Sequence, residues 1–317
     1  MYQLIKNFIK QNEFFRNIIW RIKHPVVKTK KLSNNINSLF NNLESSKEIF
    51  NKKLRIQNLI VSLTSFPARI KYLEYTLFSL INQSIIPEKI ILWLSEEEFS
   101  NKENDLPNNL KYFCYFNLEI KFIKENYKSY KKLIYSLEKY PNYIIVTVDD
   151  DIFYKSKWLE LLYNTHILYP NEIIAHKVHR ITFTKNNINS YRQWKNNTIN
   201  SSFLNFAVGY GGILYPPKSL YKDINNSSLF LKLCPHSDDI WFYVMELLAH
   251  TKIRKTKCIT SKILSFDYLI QDDYKNVPQL FDINYNNNEN DHQLNAVLSY
   301  YGIFNNFYQF IQDKYNE

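Results

Sequence analysis

The apolar positions in the central part of the chain follow two different periods. Short apolar runs rich in β-branched residues, typical of strands buried on both faces, cover residues 59–64, 89–94, 118–123 and 143–148. Between these runs, residues 72–81 and 129–139 place apolar side chains three and four positions apart, which predicts helices. Strands that alternate with helices predict an α/β fold with a mostly parallel sheet, whose ligands gather at the carboxyl ends of the strands.

The first 24 residues have the pattern of one basic amphipathic helix. Apolar residues recur at three- and four-residue steps at Leu4, Ile5, Phe8, Ile9, Phe15, Ile18, Ile19 and Ile22. Lysines and arginines interrupt this pattern too often for a membrane span of about 20 apolar residues. Two alternatives remain for the helix, an in-plane position on an anionic membrane surface or packing against protein. Residues 31–55 predict a polar connector, so the chain divides into residues 1–55 and a larger domain of residues 56–317 that ends in a helical extension.

Composition restricts the classes of protein. Among 317 residues, 45% hydrophobic residues exclude a disordered chain. The net charge of +10 favours an anionic partner, which could be nucleic acid, an acidic membrane or a phosphorylated substrate. Only four glycines occur, which disfavours the glycine-rich phosphate sites of Rossmann and P-loop proteins. The three cysteines lie far apart and predict neither disulfides nor structural zinc, which fits a reducing cytoplasm.

Three consecutive acidic residues, Asp149, Asp150 and Asp151, follow the apolar run of residues 143–148. Adjacent carboxylates at the end of a buried strand repel one another and need a cation, a proton or full exposure. In an extended backbone Asp149 and Asp151 point to the same side, where both can reach one Mn²⁺ or Mg²⁺ ion whose remaining ligands would be phosphate oxygens. The alternative is a solvated acidic turn.

Two later segments add candidate chemistry. Gly209, Gly211 and Gly212 are three of the four glycines, and such a concentration indicates a sharply turned backbone or a close approach to a ligand. Asp238 and Asp239 precede an apolar helical run. Either can cap that helix, and either can act as a general base.

The histidines do not form a metal-binding pattern. None has the spacing of a zinc-protease motif, and His176 and His179 lie three residues apart in a segment that predicts a strand. Arg180 beside them is a candidate to hold an anionic group of a substrate. A salt bridge at the end of a strand is the alternative.

Several of these segments, in this order, resemble the bacterial GT-A glycosyltransferases of surface-polysaccharide gene clusters, similar to the broad family-two group. The resemblance extends over about residues 58–245 and rests on residues 61–70, 89–94, 129–133, 145–151, 209–212 and 237–241. It implies a GT-A fold, a Rossmann-like αβα sandwich. It also implies that the region after residue 245 lies on the acceptor side.

The resemblance implies roles for individual residues. Those expected to bind the donor are Thr64, Pro67, Arg69, Glu96, Lys131, Asp149, Asp150, Gly211 and Gly212. Asp149 and Asp151 are expected to hold the metal. Glu97 and Glu98 compete with Glu96 for the nucleotide base, and an exposed helix lysine is the alternative for Lys131. Asp239 is the expected catalytic base, with Asp238 as the close alternative.

The implied activity is transfer of a sugar from a nucleotide-diphosphate sugar to a hydroxyl of a glycan or lipid-linked glycan in capsule or lipooligosaccharide synthesis. It depends on Mn²⁺ or Mg²⁺, and inversion is the preferred outcome. The expected location is cytoplasmic, on the inner face of the cytoplasmic membrane through residues 1–24. Two rival classes are a metal-dependent nucleotidyltransferase of sugar phosphates, which usually has a glycine-rich loop that residues 62–69 lack, and a basic nucleic-acid-binding protein.

Overall fold

The computed structural model describes residues 29–196, 200–257, 266–268 and 288–315. The predicted amphipathic helix of residues 1–24 lies outside this range. Across the described ranges, no helix combines the length and apolar character that a membrane crossing requires.

A seven-stranded sheet forms the centre of the protein. Its strands are β1 (Leu54–Thr64), β2 (Ile85–Ser95), β3 (Leu118–Ile123), β4 (Ile144–Thr147), β6 (Ile173–Ala175), β12 (Ile213–Tyr215) and β13 (Ile253–Lys255). Their spatial order is β13-β6-β12-β4-β1-β2-β3. β12 pairs antiparallel with both of its neighbours, while the other pairs are parallel. All strands except β12 therefore have their carboxyl ends at one edge.

Three smaller sheets complete the β structure. They comprise β5 (Ile152–Tyr154) with β14 (Phe266–Tyr268), β7 (Val178–Arg180) between β10 (Lys195–Asn196) and β11 (Asn205–Ala207), and β8 (Phe183–Thr184) with β9 (Asn187–Ile188). β7 and β11 pair antiparallel, so β11 leads the chain back to the edge of the central sheet immediately before the glycine-rich segment.

Eleven helices are present in the described residues. They are α1 (Thr29–Asn41), α2 (Leu43–Asn51), α3 (Pro67–Ile70), α4 (Leu73–Ile81), α5 (Leu110–Phe113), α6 (Lys131–Lys139), α7 (Trp158–Leu168), α8 (Ser227–Leu233), α9 (Asp238–Leu248), α10 (Glu289–Tyr300) and α11 (Phe307–Tyr315). The side chains of α2, α4, α5 and α7 join the core on one face of the sheet, and those of α6, α8, α9, α10 and α11 join the core on the other. The protein is thus an αβα sandwich, with α1 packed outside α4 around the buried Ile36.

The predicted fold class is confirmed, because the mostly parallel sheet has helices on both faces and the helical C-terminal part packs on it, as in a Rossmann-like GT-A arrangement. Strand β3 has the predicted bounds, whereas β1 begins five residues earlier than predicted, at Leu54, and β2 begins four residues earlier, at Ile85. The predicted helical extension consists of two helices, α10 and α11, separated by a turn in which Gly302 has a φ of +71°.

Candidate active site

The acidic triplet lies at the carboxyl edge of the sheet. β4 ends at Thr147, and the chain passes through Asp149 into a turn at Asp150 and Asp151. The end of the neighbouring strand β1 lies beside it, because Val148 donates its backbone N–H to the carbonyl of Ser62 at 3.0 Å. The triplet therefore occupies the place where ligands of parallel α/β sheets collect.

Asp150 is held entirely by protein groups. Ser65 donates its hydroxyl to Oδ2 at 2.6 Å, and Arg69 donates from Nη1 to Oδ1 at 2.8 Å. The hydroxyl of Thr76 donates to the backbone carbonyl of Asp150 at 2.8 Å. With only 5% of its surface exposed, Asp150 fixes the shape of the turn, while Asp149 and Asp151 remain partly exposed. Ser65 was not predicted as a site residue, although it lies in the same segment as Arg69.

Arg69 joins the loop after β1 to the triplet. Its Nη1 lies 2.9 Å from Oδ2 of Asp151 as well as 2.8 Å from Asp150. Burial opposes the charge on Arg69, but Asp151 and Asp150 together raise its pKa. Burial raises the pKa of Asp151, Arg69 opposes this rise, Asp150 and Asp149 add to it, and the resulting pKa is about 6. Arg69 was expected to contact the nucleotide. In the structure it contacts the carboxylates that would hold the donor.

Lys132 connects the triplet to the second acidic pair. Its Nζ lies 2.8 Å from Oδ1 of Asp149 and 3.1 Å from Oδ2 of Asp238, and its side chain is 5% exposed. Burial lowers the pKa of Lys132, but Asp149, Asp238 and Asp239 outweigh that effect and raise it, so the ammonium is charged. The sequence pattern singled out Lys131 instead, and the only signal for Lys132 was its place beside that residue on the same helix.

Asp239 is the second acidic residue at the start of α9. Its Oδ2 accepts the backbone N–H of Gly209 at 2.9 Å. Oδ1 is buried and has no hydrogen-bond partner among the residues that the structure describes. Burial and the neighbouring Asp238 raise the pKa of Asp239, Lys132 and the N–H of Gly209 partly offset this rise, and the resulting pKa is about 7. A carboxyl group with this pKa can accept a proton at neutral pH.

The glycine-rich segment lies against both acidic groups. A Cβ at Gly209 would lie 2.7 Å from Oδ1 of Asp239 and 3.2 Å from Nζ of Lys132. Gly212 has a φ of +89°, and a Cβ there would lie 2.3 Å from the ring of Trp158. The Trp158 ring also donates its Nε1–H to the carbonyl of Gly211 at 2.8 Å. Two of these glycines are thus required by contacts within the protein.

Tyr154 ties the glycine-rich segment to the triplet. Its hydroxyl accepts the backbone N–H of Asp149 at 3.0 Å and lies 3.2 Å from the carbonyl oxygen of Tyr210, to which it donates. Tyr154 is fully buried in the core beneath the site. This bridge fixes the position of the glycine-rich segment relative to the acidic residues.

Four other predicted donor-binding residues lie around this centre. Thr64 donates its hydroxyl to the carbonyl of Trp93 at 2.8 Å, and Pro67 is the first residue of α3. Glu96 pairs with Lys102 at 3.1 Å. Lys131 pairs with Glu98 at 3.0 Å and is 2% exposed, so the alternative of an exposed helix lysine is wrong. Burial lowers the pKa of Lys131.

The acidic centre is rich in uncompensated negative charge. Asp149, Asp150, Asp151, Asp238 and Asp239 share two close cations, Arg69 and Lys132. The side chains of Asp149 and Asp151 are 31% and 26% exposed, so both are accessible. Carboxylate oxygens with this charge excess suit a hard divalent cation completed by phosphate oxygens and water. Among the described residues, no group of three or more His, Cys, Asp or Glu side chains has the arrangement of a metal site.

The sequence matches no model of a protein family and no curated protein. Among solved structures, S. aureus TarS 1–349 is similar over 80% of this chain and 74% of its own, with a TM-score of 0.42 and 16% identity.

The complex of S. aureus TarS 1–349 with UDP gives a TM-score of 0.43 and 13% identity, over 80% of this chain and 73% of its own. A CMP:2-keto-3-deoxy-manno-octonic acid synthetase complexed with CTP gives 0.39 and 9%, over 65% of this chain and 90% of its own. At these levels of similarity, none of the three assigns an activity to this chain.

Proposed function

We propose that the protein is a metal-dependent glycosyltransferase that moves a sugar from a nucleotide-diphosphate sugar to a hydroxyl group of an acceptor. The observation that carries the proposal is the arrangement of two acidic groups around Lys132. One is accessible and lies at the carboxyl edge of the sheet, where a diphosphate and its metal would bind. The other contains Asp239, whose pKa of about 7 suits proton transfer.

The two acidic groups have different tasks in this proposal. Asp149 and Asp151 would hold a Mn²⁺ or Mg²⁺ ion, whose chemistry is to neutralise the charge that develops on the leaving diphosphate. Arg69 and Lys132 keep these carboxylates in place through the ion pairs at 2.9 and 2.8 Å. Asp150 is not free for a ligand, because Ser65 and Arg69 occupy both of its oxygens.

Asp239 acts as the general base. It removes the proton from the acceptor hydroxyl while the hydroxyl oxygen attacks the anomeric carbon, and the nucleoside diphosphate leaves from the opposite side. One attack of this kind inverts the anomeric configuration. The N–H of Gly209 holds Oδ2 of Asp239 at 2.9 Å and so fixes the orientation of the carboxyl group that takes the proton. We further propose a glycan or lipid-linked glycan of a bacterial surface polysaccharide as the acceptor.

Donor binding tests the metal. Thermal shifts with a panel of nucleoside diphosphate sugars are expected to be large in Mn²⁺ and small in EDTA, since a ligand that binds the native state raises apparent stability. In Asp151→Ala the increment due to Mn²⁺ is expected to vanish. Asp313, an exposed acidic residue of α11, provides the matched control Asp313→Ala, which should behave as wild type. Equal shifts in Mn²⁺ and EDTA for wild type and Asp151→Ala would refute the metal assignment.

The products separate the proposal from a nucleotidyltransferase. A glycosyltransferase releases a nucleoside diphosphate from its donor, and slow hydrolysis without an acceptor yields the same product with free sugar. A nucleotidyltransferase instead joins a nucleoside triphosphate and a sugar phosphate and releases pyrophosphate. Detection of pyrophosphate from a triphosphate, with no nucleoside diphosphate from any donor sugar, would overturn the proposal.

A further inference from the structure

Residues 234–237 connect α8 to α9 and determine where the helix that carries Asp239 begins. Ser237 is the residue before α9, and its side chain makes no capping hydrogen bond among the residues that the structure describes. The start of a helix is usually held by such a bond, and without it other parts of the protein must fix the first turn. The position of Asp239 therefore depends on the elements that contact residues 234–237.

Gln293, near the start of α10, contacts this segment from the C-terminal part of the chain. Its Oε1 accepts the backbone N–H of His236 at 2.9 Å, three residues before Asp239. Its Nε2 donates to the carbonyl of Glu289 at 3.2 Å, so the amide group is oriented by its own helix. Gln293 is only 4% exposed, and water does not readily replace a hydrogen bond that is this deeply buried.

The start of α10 is itself held by a second side chain, that of Asp291. Its Oδ2 accepts the hydroxyl of Ser190 at 2.8 Å, and its Oδ1 accepts the backbone N–H of Tyr191 at 2.7 Å. Further along the helix, Val297 is fully buried in the core that α10 shares with α9. Gln293 therefore extends from a helix that is fixed on both sides of it.

Tyr130, the residue before α6, contacts the same segment from another element. Its hydroxyl donates to the carbonyl of Cys234, and the thiol of Cys234 donates to the carbonyl of Ser237 at 2.9 Å. The second residue of α6 is Lys132, which pairs with Asp238 at 3.1 Å. Residues 234–237 are thus held between the helix that carries Lys132 and the helix that carries Gln293.

We propose that Gln293 is a positioning residue for Asp239. It holds the N–H of His236, and only three residues separate His236 from Asp239, so a displacement of the segment moves the carboxyl group. That group has little free space, because a Cβ at Gly209 would lie 2.7 Å from its Oδ1. A misplacement of about 1 Å can lower turnover by about a hundredfold. The effect on turnover rests on the proposed function, whereas the effect on the contact between Asp239 and Gly209 does not.

Amide hydrogen exchange tests the positioning role without any substrate. In Gln293→Met, which has a similar length and no amide group, the N–H of His236 should exchange about tenfold faster, because its hydrogen-bond partner is lost. The N–H of Gly209 should also exchange faster, although its partner is Asp239 rather than Gln293. Faster exchange at His236 with no change at Gly209 would overturn the positioning role.

Val297→Ala is the matched control for this measurement. Val297 lies one turn beyond Gln293 on the same helix and is fully buried, so its truncation should lower the free energy of unfolding. Exchange of core amides in general should then become faster, without a specific increase at His236 and Gly209. The same pattern in Val297→Ala and Gln293→Met would show that Gln293 contributes stability alone.

Release of nucleoside diphosphate, with water as the acceptor, tests the consequence for turnover. The donor is the nucleotide sugar that gives the largest thermal shift in Mn²⁺. In Gln293→Met we expect kcat to fall about tenfold while the donor KM stays unchanged, because the lost hydrogen bond lies on the side of the base. Gln293→Glu keeps an oxygen that accepts the N–H of His236 and should restore most of kcat. Wild-type kcat in Gln293→Met, or an equal fall in Val297→Ala, would overturn the positioning role.

The activity of wild type separates this role from the proposed function. If wild type releases no nucleoside diphosphate from any nucleotide sugar, the proposed function is refuted, and exchange of the Gly209 amide still decides whether Gln293 positions Asp239. If wild type is active and Gln293→Met matches it in both kcat and exchange, the positioning role alone is refuted.

Discussion

Five aspartates of the site share similar chemistry but differ in environment. Asp150 is bonded through both oxygens, Asp149 and Asp151 are paired and accessible, and Asp239 keeps one oxygen without a partner. Because of these differences, we expect substitution of each carboxylate to have a different effect. Substitution of one residue at a time should therefore resolve binding from proton transfer.

Asp239→Asn is expected to retain donor binding and lose transfer by at least about a hundredfold, the range for removal of a general base. In wild type, kcat/KM should rise with pH through about 7, because the base must lose its proton. Transfer assays across pH, with donor binding measured separately, check this. Loss of donor binding in Asp239→Asn would move this carboxylate to the donor site.

The same carboxyl group links stability to pH. Its pKa rises from an ordinary value of 3.8 to about 7 on folding, so between these values the folded state keeps a proton that the unfolded state has lost. The free energy of unfolding should therefore fall as pH rises through this window. In urea denaturation with EDTA, the free energy of unfolding should fall less steeply with pH in Asp239→Asn than in wild type. Asp151, whose pKa is raised to about 6, should account for part of the remaining pH dependence. An unchanged pH dependence in Asp239→Asn would show that its carboxyl group is not perturbed.

Lys132 should matter for both stability and turnover. Lys132→Met leaves Asp149 and Asp238 without their shared cation. Loss of one partner of a buried ion pair lowers the free energy of unfolding by about 3–5 kcal/mol. Because Asp149 is partly exposed, we expect a loss of about 2–3 kcal/mol here. We expect kcat to fall more than the donor KM rises, with partial rescue by Lys132→Arg. Lys139→Met, an exposed position on the same helix, is the control for urea denaturation and kinetics. Equal effects at both positions would argue against a bridging role.

At this scale the sequence predicts the acidic residues and Arg69, but neither Lys132 nor the ion pairs that the two cations make with the carboxylates. The triplet and the Asp238–Asp239 pair stand out because charged side chains next to apolar runs are costly to bury unless they are paired. The choice between Lys131 and Lys132 depends on helix rotation, since successive residues point about 100° apart. In the structure Lys132 pairs with Asp149 in the acidic centre and Lys131 pairs with Glu98. Neither composition nor spacing predicts this difference.

At the scale of elements, the glycine-rich segment makes a sharp prediction. Gly212→Ala introduces a Cβ 2.3 Å from the Trp158 ring at a φ of +89°, so both backbone strain and overpacking oppose it. Each effect costs about 1–3 kcal/mol, and the sum should appear as a clear loss in urea denaturation. Gly302→Ala is the matched control, because its φ is +71° but nothing lies within 4 Å of the added Cβ. Equal losses at the two glycines would show that the Trp158 contact is unimportant.

The elements themselves were predictable in proportion to their length. The apolar runs that become β1 to β4 and the helices α4 and α6 are long enough to show a period. β6, β12 and β13 have three residues each, and a three-residue strand shows no period. The antiparallel placement of β12 depends on tertiary contacts, which the pattern of apolar residues does not encode.

At the scale of the whole molecule, one short strand connects two groups of strands in the central sheet. β6 and β13 join the other strands of the central sheet only through β12, which contributes three residues. Proteins open locally in cooperative units whose stability depends on the contacts at their boundary. Leu214→Ala, at the centre of β12 and fully buried, should weaken this boundary on both sides. Leu63→Ala, a buried leucine of β1, is the matched control.

This topology divides the central sheet into two groups of strands. β4, which precedes the acidic triplet, pairs with β1 without residues 213–215, whereas β6 and β13 pair with the rest of the sheet through those residues. In native-state hydrogen exchange, amides of β6 and β13 should open together at a lower free energy than those of β1 and β2, and Leu214→Ala should widen that gap while Leu63→Ala should not. Transient opening of β6 and β13 would then leave the strands around the acidic triplet folded.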